Sequence, residues 1–412
     1  MRRARYFYGW NVVGATFVMA LFSFGLGFYG ITVYVATLQR LHGWSAAAVS
    51  APVTIYYVVG ALLTMAVGSV YERFGPRVVV VVGSVAMAAG LTALGVVTRP
   101  WQLYPAFVVM ALGWGSMSGA AINIILAPWW ERRRGLAVSI AFNGATLGGV
   151  IVTPMLIPLI AALGFRQALA SAGIGSFMVV IATALIAMRR GPRALGLGPD
   201  GAPAAPDAAP RVDRHRGARG DALATWRFWS VSIPFALGLA AQVGVLTHLV
   251  SVVAPVLGAA GAARAIGITT ATALIGRLVT GVVVDRVNPR AAASVTLLVQ
   301  MLGLALLSAA SSASAVYAGC VLFGLGVGNL TTLPGLILSV EWPRERFAAL
   351  VGLAVGINQL TFAFGPSLVG VVRDHAGSYS LALGACMGLQ GVAATMILLG
   401  PGRRATDASP AP

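Results

Sequence analysis

The sequence predicts an all-α membrane protein of twelve transmembrane helices arranged as two pseudo-symmetric six-helix bundles. Three observations carry that prediction. First, 58% of the 412 residues are hydrophobic, only 9% are charged, and the mean hydropathy is +0.86. A soluble domain carries roughly 25% charged residues, so this chain is solvated chiefly by lipid. Second, the apolar residues fall into runs of about 20, the length needed to cross a hydrocarbon core. Third, the chain repeats. Gly68-Ser69-Val70-Tyr71-Glu72-Arg73-Phe74-Gly75-Pro76-Arg77 aligns with Gly281-Val282-Val283-Val284-Asp285-Arg286-Val287-Asn288-Pro289-Arg290 at a constant offset of 213. Trp130, Arg132, Arg134, Gly144 and Pro154 then meet Trp342, Arg344, Arg346, Gly356 and Pro366 at an offset of 212.

Charged or turn-rich breaks place the first six spans at about 10–38, 46–70, 78–98, 102–127, 136–161 and 167–188. The second six fall at about 229–257, 264–284, 291–310, 314–340, 348–372 and 380–400. The basic start Met1-Arg2-Arg3-Ala4-Arg5 resembles a signal peptide. The apolar run behind it extends to about Leu38, too long for a signal h-region, so it reads as the first span. Glycine clusters at Gly113-Trp114-Gly115 with Gly119, at Gly144, Gly148 and Gly149, and at Gly324–Gly328 lie inside spans with no preceding strand. They read as sites of close helix crossing, the middle group before Pro154 also permitting a bend.

All 28 basic residues are arginine. Placing the amino terminus in the cytoplasm puts 22 of them on that side and five on the other, with Arg277 left inside, so both termini are predicted cytoplasmic. Trp44, Trp101, Trp129, Trp130, Trp226, Trp229 and Trp342 fall near span ends, as an interfacial aromatic belt requires. The Pro-, Ala- and Gly-rich stretch after the sixth span reads as a mobile cytoplasmic linker. The predicted organisation is an amino-terminal bundle over 1–190, a linker over 191–227, a carboxy-terminal bundle over 228–400 and a cytoplasmic tail over 401–412. Two copies of a six-helix unit related by an axis along the membrane normal are the plan of a transporter with a central site.

Chemistry concentrates at Ile275-Gly276-Arg277-Leu278. Arg277 stands eight residues before Asp285, about 12 Å of helix, which sets it near the middle of a ~30 Å core. A charge at that depth is costly and marks function by default. Its guanidinium has the geometry to hold a carboxylate through two parallel hydrogen bonds; the competing reading is that it snorkels or donates to neighbouring carbonyls. All eleven acids lie in loops or at span ends, so no mid-membrane carboxylate is available to neutralise Arg277 or to carry a proton. His248, near the outer end of the seventh span, either titrates functionally or packs as a hydrogen-bonded core residue.

The pattern Gly-x-x-x-Asp/Glu-Arg-x-Gly-Pro-Arg after the second span, echoed after the eighth, resembles the loop signature of the major facilitator superfamily. Further features are Tyr8-Gly9-Trp10, Trp129-Trp130-Glu131-Arg132-Arg133-Arg134-Gly135-Leu136-Ala137, His248-Leu249-Val250 and Gly276-Arg277. Together they resemble the branch of monocarboxylate transporters and oxalate/formate antiporters. The resemblance implies that Arg277 meets a substrate carboxylate. Among polar residues inside spans, Tyr34, Asn123 and Asn358 are the further substrate-site candidates, because their spans line the central path in that superfamily. Hydrogen bonding between helices is the commoner explanation of such residues. The repeated loops supply a predicted cytoplasmic latch of Gly68, Glu72, Arg73 and Arg77 with Gly281, Asp285, Arg286 and Arg290.

Two departures from the branch are informative. Oxalate-type members are expected to carry a lysine in the eleventh span, where this chain has Gly356-Ile357-Asn358-Gln359; a single cation suits a monocarboxylate. Proton-coupled members are expected to carry an acid one turn before the arginine, where this chain has Ala273. The expectation is therefore a transporter of a small organic anion, by exchange or uniport, in a bacterial inner membrane. The partners are that anion and the lipid bilayer, with no nucleic acid, no obligatory protein partner, no cofactor and no metal. An exporter of amphiphilic or drug-like compounds is the alternative on the same fold, and a non-transporting membrane carboxylate sensor the alternative of another class. No acid/base or nucleophile constellation at membrane depth suggests an enzyme.

Overall fold

The computed structural model describes residues 7–188, 191–203, 223–283, 287–342 and 344–401. Among the described residues, nine helical stretches are long and apolar enough to cross a membrane. Two of them each join a pair of spans: the helix over Ala46–Leu94 is interrupted by Gly75 (φ 75°), and the helix over Trp226–Val283 by Gly258 (φ 66°). Both glycines hold positive φ at a membrane-surface turn, a conformation L-residues rarely adopt. Separating these pairs, and adding the shorter helix Ala313–Val327 with its continuation, accounts for all twelve predicted spans.

We number them α1 (Gly9–His42), α2 (46–74), α3 (76–94), α4 (Pro100–Leu126), α5 (Leu136–Leu163), α6 (Phe165–Ala187), α7 (226–257), α8 (259–283), α9 (Pro289–Ala309), α10 (313–341), α11 (344–376) and α12 (Tyr379–Leu399). The chain divides into two compact units. The first comprises Met1–Trp44 and Ile55–Arg211, the second Ser45–Thr54 and Val212–Pro412. The first turns of α2 belong to the second unit.

Several spans are broken in mid-course. α1 contains a π-helical turn over Gly25–Tyr29 and α5 another over Gly148–Val152. α4 is interrupted at Ser118, and α10 by a turn region over 328–332. A π turn frees carbonyls from the regular ladder, and buried carbonyls need donors. In α1 three hydroxyls supply them: Thr153 donates to Gly25 (2.8 Å), Tyr34 to Leu26 (3.1 Å) and Tyr56 to Gly27 (2.6 Å). The two broken helices meet backbone to backbone. A Cβ at Gly144 would strike the Phe17 carbonyl and one at Gly148 the Leu21 carbonyl, so the glycines before Pro154 do permit a close crossing.

Where α4 meets α5, Trp129 and Trp130 are buried, not exposed to an interface. They pack with Phe7, Tyr8 and Trp10. The start of the predicted mobile linker joins this cluster: Asp200 donates its backbone N–H to the Trp129 carbonyl (2.8 Å). Its Oδ2 accepts from the backbone of Arg132 (2.7 Å) and Glu131 (3.3 Å). Asp200 is thus fastened to the connection between α4 and α5.

In the second unit an apolar core around Phe228, Phe235, Leu297, Leu330, Leu338 and Ile397 surrounds two polar devices. Gln390 donates to Gln300 (2.9 Å) and Gln300 to Gln242 (2.8 Å), tying α12, α9 and α7. Arg290 forms a two-point ion pair with Glu341 (2.6 and 2.9 Å) and donates also to Ser230 and to the Ile397 carbonyl. Every donor of this buried charge that faces the protein is met, as burial of an ion requires.

Candidate substrate site

Arg277 lies on α8 where that helix crosses α10 at closest approach. The crossing is made of glycines: a Cβ at Gly276 would strike the Leu325 carbonyl, and one at Gly324 the Thr272 hydroxyl. The glycine run of α10 therefore serves helix packing. The guanidinium reaches across to the break in α10. A Cβ on Gly328 would stand 3.0 Å from Arg277 Nε and 3.2 Å from Nη2, so this glycine is the floor on which the cation rests.

Arg277 has no acidic partner among the described residues, and its buried Nε makes no hydrogen bond. No carbonyl of the described residues accepts from Nε; snorkelling is the other alternative read from sequence. The contrast with Arg290 is sharp, because an unmatched cation at membrane depth is a cost that structure alone does not repay. What the arrangement offers is a forked, permanently charged donor for an anion.

The other predicted residues separate by their hydrogen bonds. His248 is fully buried; its Nε2–H donates to the Pro366 carbonyl (3.1 Å) and the neutral ring accepts the Tyr379 hydroxyl at Nδ1 (3.1 Å). A carbonyl only accepts, which sets the tautomer. His248 therefore joins α7 to the bend of α11 and the start of α12. It precedes the Gly258 turn by ten residues while Arg277 follows it by nineteen, so the two differ in depth by about 13 Å. Tyr34 is occupied with the π turn of α1, and Asn123 Nδ2 with the Gly119 carbonyl one turn earlier (3.0 Å). Asn358, buried on α11, differs: its Oδ1 has no partner among the described residues. Arg277 Nε and Asn358 Oδ1 are thus unpartnered among the described residues, whereas His248, Tyr34 and Asn123 are hydrogen-bonded within the protein.

Of the predicted latch, Glu72, Arg73 and Arg77 are exposed, Arg73 lying over the Phe74 ring (5.2 Å). Gly68 is half-buried and Gly281 continues α8, while Asp285 and Arg286 lie outside the described residues. Arg290 is committed within its own unit, as described. A contact that sequence reasoning missed lies at the other end of α2. Asp374 of α11 accepts from the backbone of Ala46 (3.0 Å) and Ala47 (2.7 Å), and Thr54 bonds Ser367 (2.7 Å). A cavity of about 340 Å3 near this end is lined by Ser251, Ser308, Arg373, Ser378 and Tyr379. Arg373 is already paired with Asp374 (3.1 Å), which makes this cavity a weaker anion site than Arg277.

Twelve apolar spans in two units, broken helices and an unmatched interior cation define a polytopic membrane transporter. Comparison makes the family explicit: the sequence matches the Major Facilitator Superfamily over residues 16–366, and the chain belongs to that superfamily. It is 28% identical to the MFS-type transporter hasB of Aspergillus fumigatus, over 95% of this chain and 87% of that one. It is 27% identical to the oxalate:formate antiporter of Oxalobacter formigenes over 38% of each. Among solved structures, that of the nucleoside transporter NupG is similar with a TM-score of 0.74 at 12% identity, covering 95% of this chain and 98% of NupG. The likeness to NupG shows the fold alone.

Proposed function

We propose that this transporter carries a small organic anion, a monocarboxylate, and that Arg277 binds the carboxylate. The observation that supports this reading is the guanidinium resting on Gly328, its Nε without a hydrogen bond and no acidic partner among the described residues. The oxalate:formate antiporter, whose name identifies carboxylate substrates, supports the same class. A carboxylate binding both Nη groups satisfies the fork and removes an uncompensated charge in one step.

Transport proceeds by rocking of the two six-helix bundles about this site, with both termini on the cytoplasmic side of an inner membrane. Coupling is exchange or uniport. His248, with both ring nitrogens engaged, is a structural bridge instead of a proton carrier.

Uptake of labelled carboxylates into proteoliposomes tests the reading. Arg277→Ala and Arg277→Lys are expected to lose at least about tenfold in uptake, since a point charge does not reproduce the two-point fork. Retained uptake in both variants would sink the assignment and favour the exporter of amphiphiles, which has no need of Arg277.

A further inference from the structure

Two unpartnered buried polar atoms lie on opposite sides of the α8–α10 crossing. One is a donor, Arg277 Nε. The other is an acceptor, Oδ1 of Asn329, the residue directly after the glycine that supports the guanidinium. Asn329 is 3% exposed, and its Nδ2 is already engaged with the Leu325 carbonyl (3.1 Å) and, at 3.4 Å, with the carbonyl of Gly276, the neighbour of Arg277. The amide is thereby held with its oxygen left over. Buried polar atoms without partners are uncommon, and a lone donor lying against Gly328 with a lone acceptor on the next residue, each lacking what the other supplies, call for a joint explanation.

We infer that Asn329 is the positioning residue of Arg277. When a carboxylate engages the two Nη groups, the Nε–H turns onto Asn329 Oδ1. The guanidinium plane is then fixed from behind by the amide and from below by Gly328. Without this support a guanidinium on a four-bond stem has many orientations, and a two-point contact loses its geometric advantage. The inference rests on the carboxylate reading above and adds the device that aims the cation. It also accounts for the break in α10: the turn at 328–332 brings a side-chain-free position and an amide side by side against α8.

The test uses the purified full-length chain and two anions, acetate as the planar carboxylate probe and chloride as a spherical one that needs no fork. In the parent, acetate is expected to give a saturable thermal shift. Asn329→Ala is expected to raise the acetate Kd about tenfold, the scale of a lost hydrogen bond to a charged group. Chloride affinity should change less than twofold, so the preference for acetate falls. Gly328→Ala, whose methyl meets the guanidinium and the Ala273 carbonyl, should act in the same direction without removing the amide. Gly335→Ala, where a Cβ meets nothing within 4 Å, is the control on the same span and should leave both affinities as they are. An unchanged acetate Kd in Asn329→Ala, or equal losses for acetate and chloride, overturns the positioning role. No saturable acetate shift in the parent, or one that survives in Arg277→Ala, overturns the carboxylate reading and this inference with it.

Discussion

Arg277 and Arg290 are both interior arginines of one unit with opposite surroundings. Arg290 and Glu341 have side chains only 5% and 6% exposed and satisfy each other at two points. Removing one partner leaves a buried charge, so Glu341→Gln should destabilise by about 3–5 kcal/mol in thermal or chemical unfolding. The double change Arg290→Met with Glu341→Leu should cost less, because it removes both members of the buried pair, although Arg227, 3.7 Å from Glu341, loses its ion partner. Tyr34 obeys the same logic. Tyr34→Phe deprives the Leu26 carbonyl of its donor and should cost roughly 1–3 kcal/mol, with the substrate Kd unchanged; an altered Kd would restore Tyr34 to the substrate site. The charge of Arg277 within an apolar run was legible in the sequence. Which of His248, Tyr34, Asn123 and Asn358 remained available was not, because each answer lies in a partner eight to 131 residues away or in a single helical turn.

At the scale of elements, the glycines of α1, α5, α8 and α10 place backbone against backbone where spans cross or break. Gly148→Ala introduces a methyl where the Leu21 carbonyl lies, and neither backbone yields cheaply. Loss of about 1–3 kcal/mol of stability is expected from such overpacking. The same substitution at Gly175, where a Cβ meets nothing, should be neutral or slightly stabilising through helix propensity. Equal melting temperatures for the two variants would contradict the backbone contact. Span number and approximate position were readable because apolar length reports them directly. The π turns and the break at 328–332 were not, since a local interruption of hydrogen bonding depends on hydroxyls and glycines of other helices.

For the whole molecule, the sequence repeat drew attention to the loops after α2 and α8, whereas the better-defined contact is at the start of α2. There Asp374 takes the first two free backbone N–H groups of the helix, the end at which a carboxylate is favoured by the helix dipole. Asp374→Ala is expected to change the rate of substrate exchange by about fivefold, equivalent to roughly 1 kcal/mol, with binding affinity within twofold. A changed affinity at constant rate would assign Asp374 to the substrate site instead. Two helix ends more than 300 residues apart in sequence carry no shared signal in a single chain, which is why this contact was not foreseen.

The claim that an anionic substrate completes Arg277 is tested most directly by a thermal-shift screen of the purified protein against a panel of mono- and dicarboxylates, repeated with Arg277→Ala. The account predicts concentration-dependent stabilisation by one or more monocarboxylates in the parent, growing as ligand exceeds its Kd, and its loss in the variant. Equal stabilisation of parent and variant, or none by any carboxylate, would contradict it.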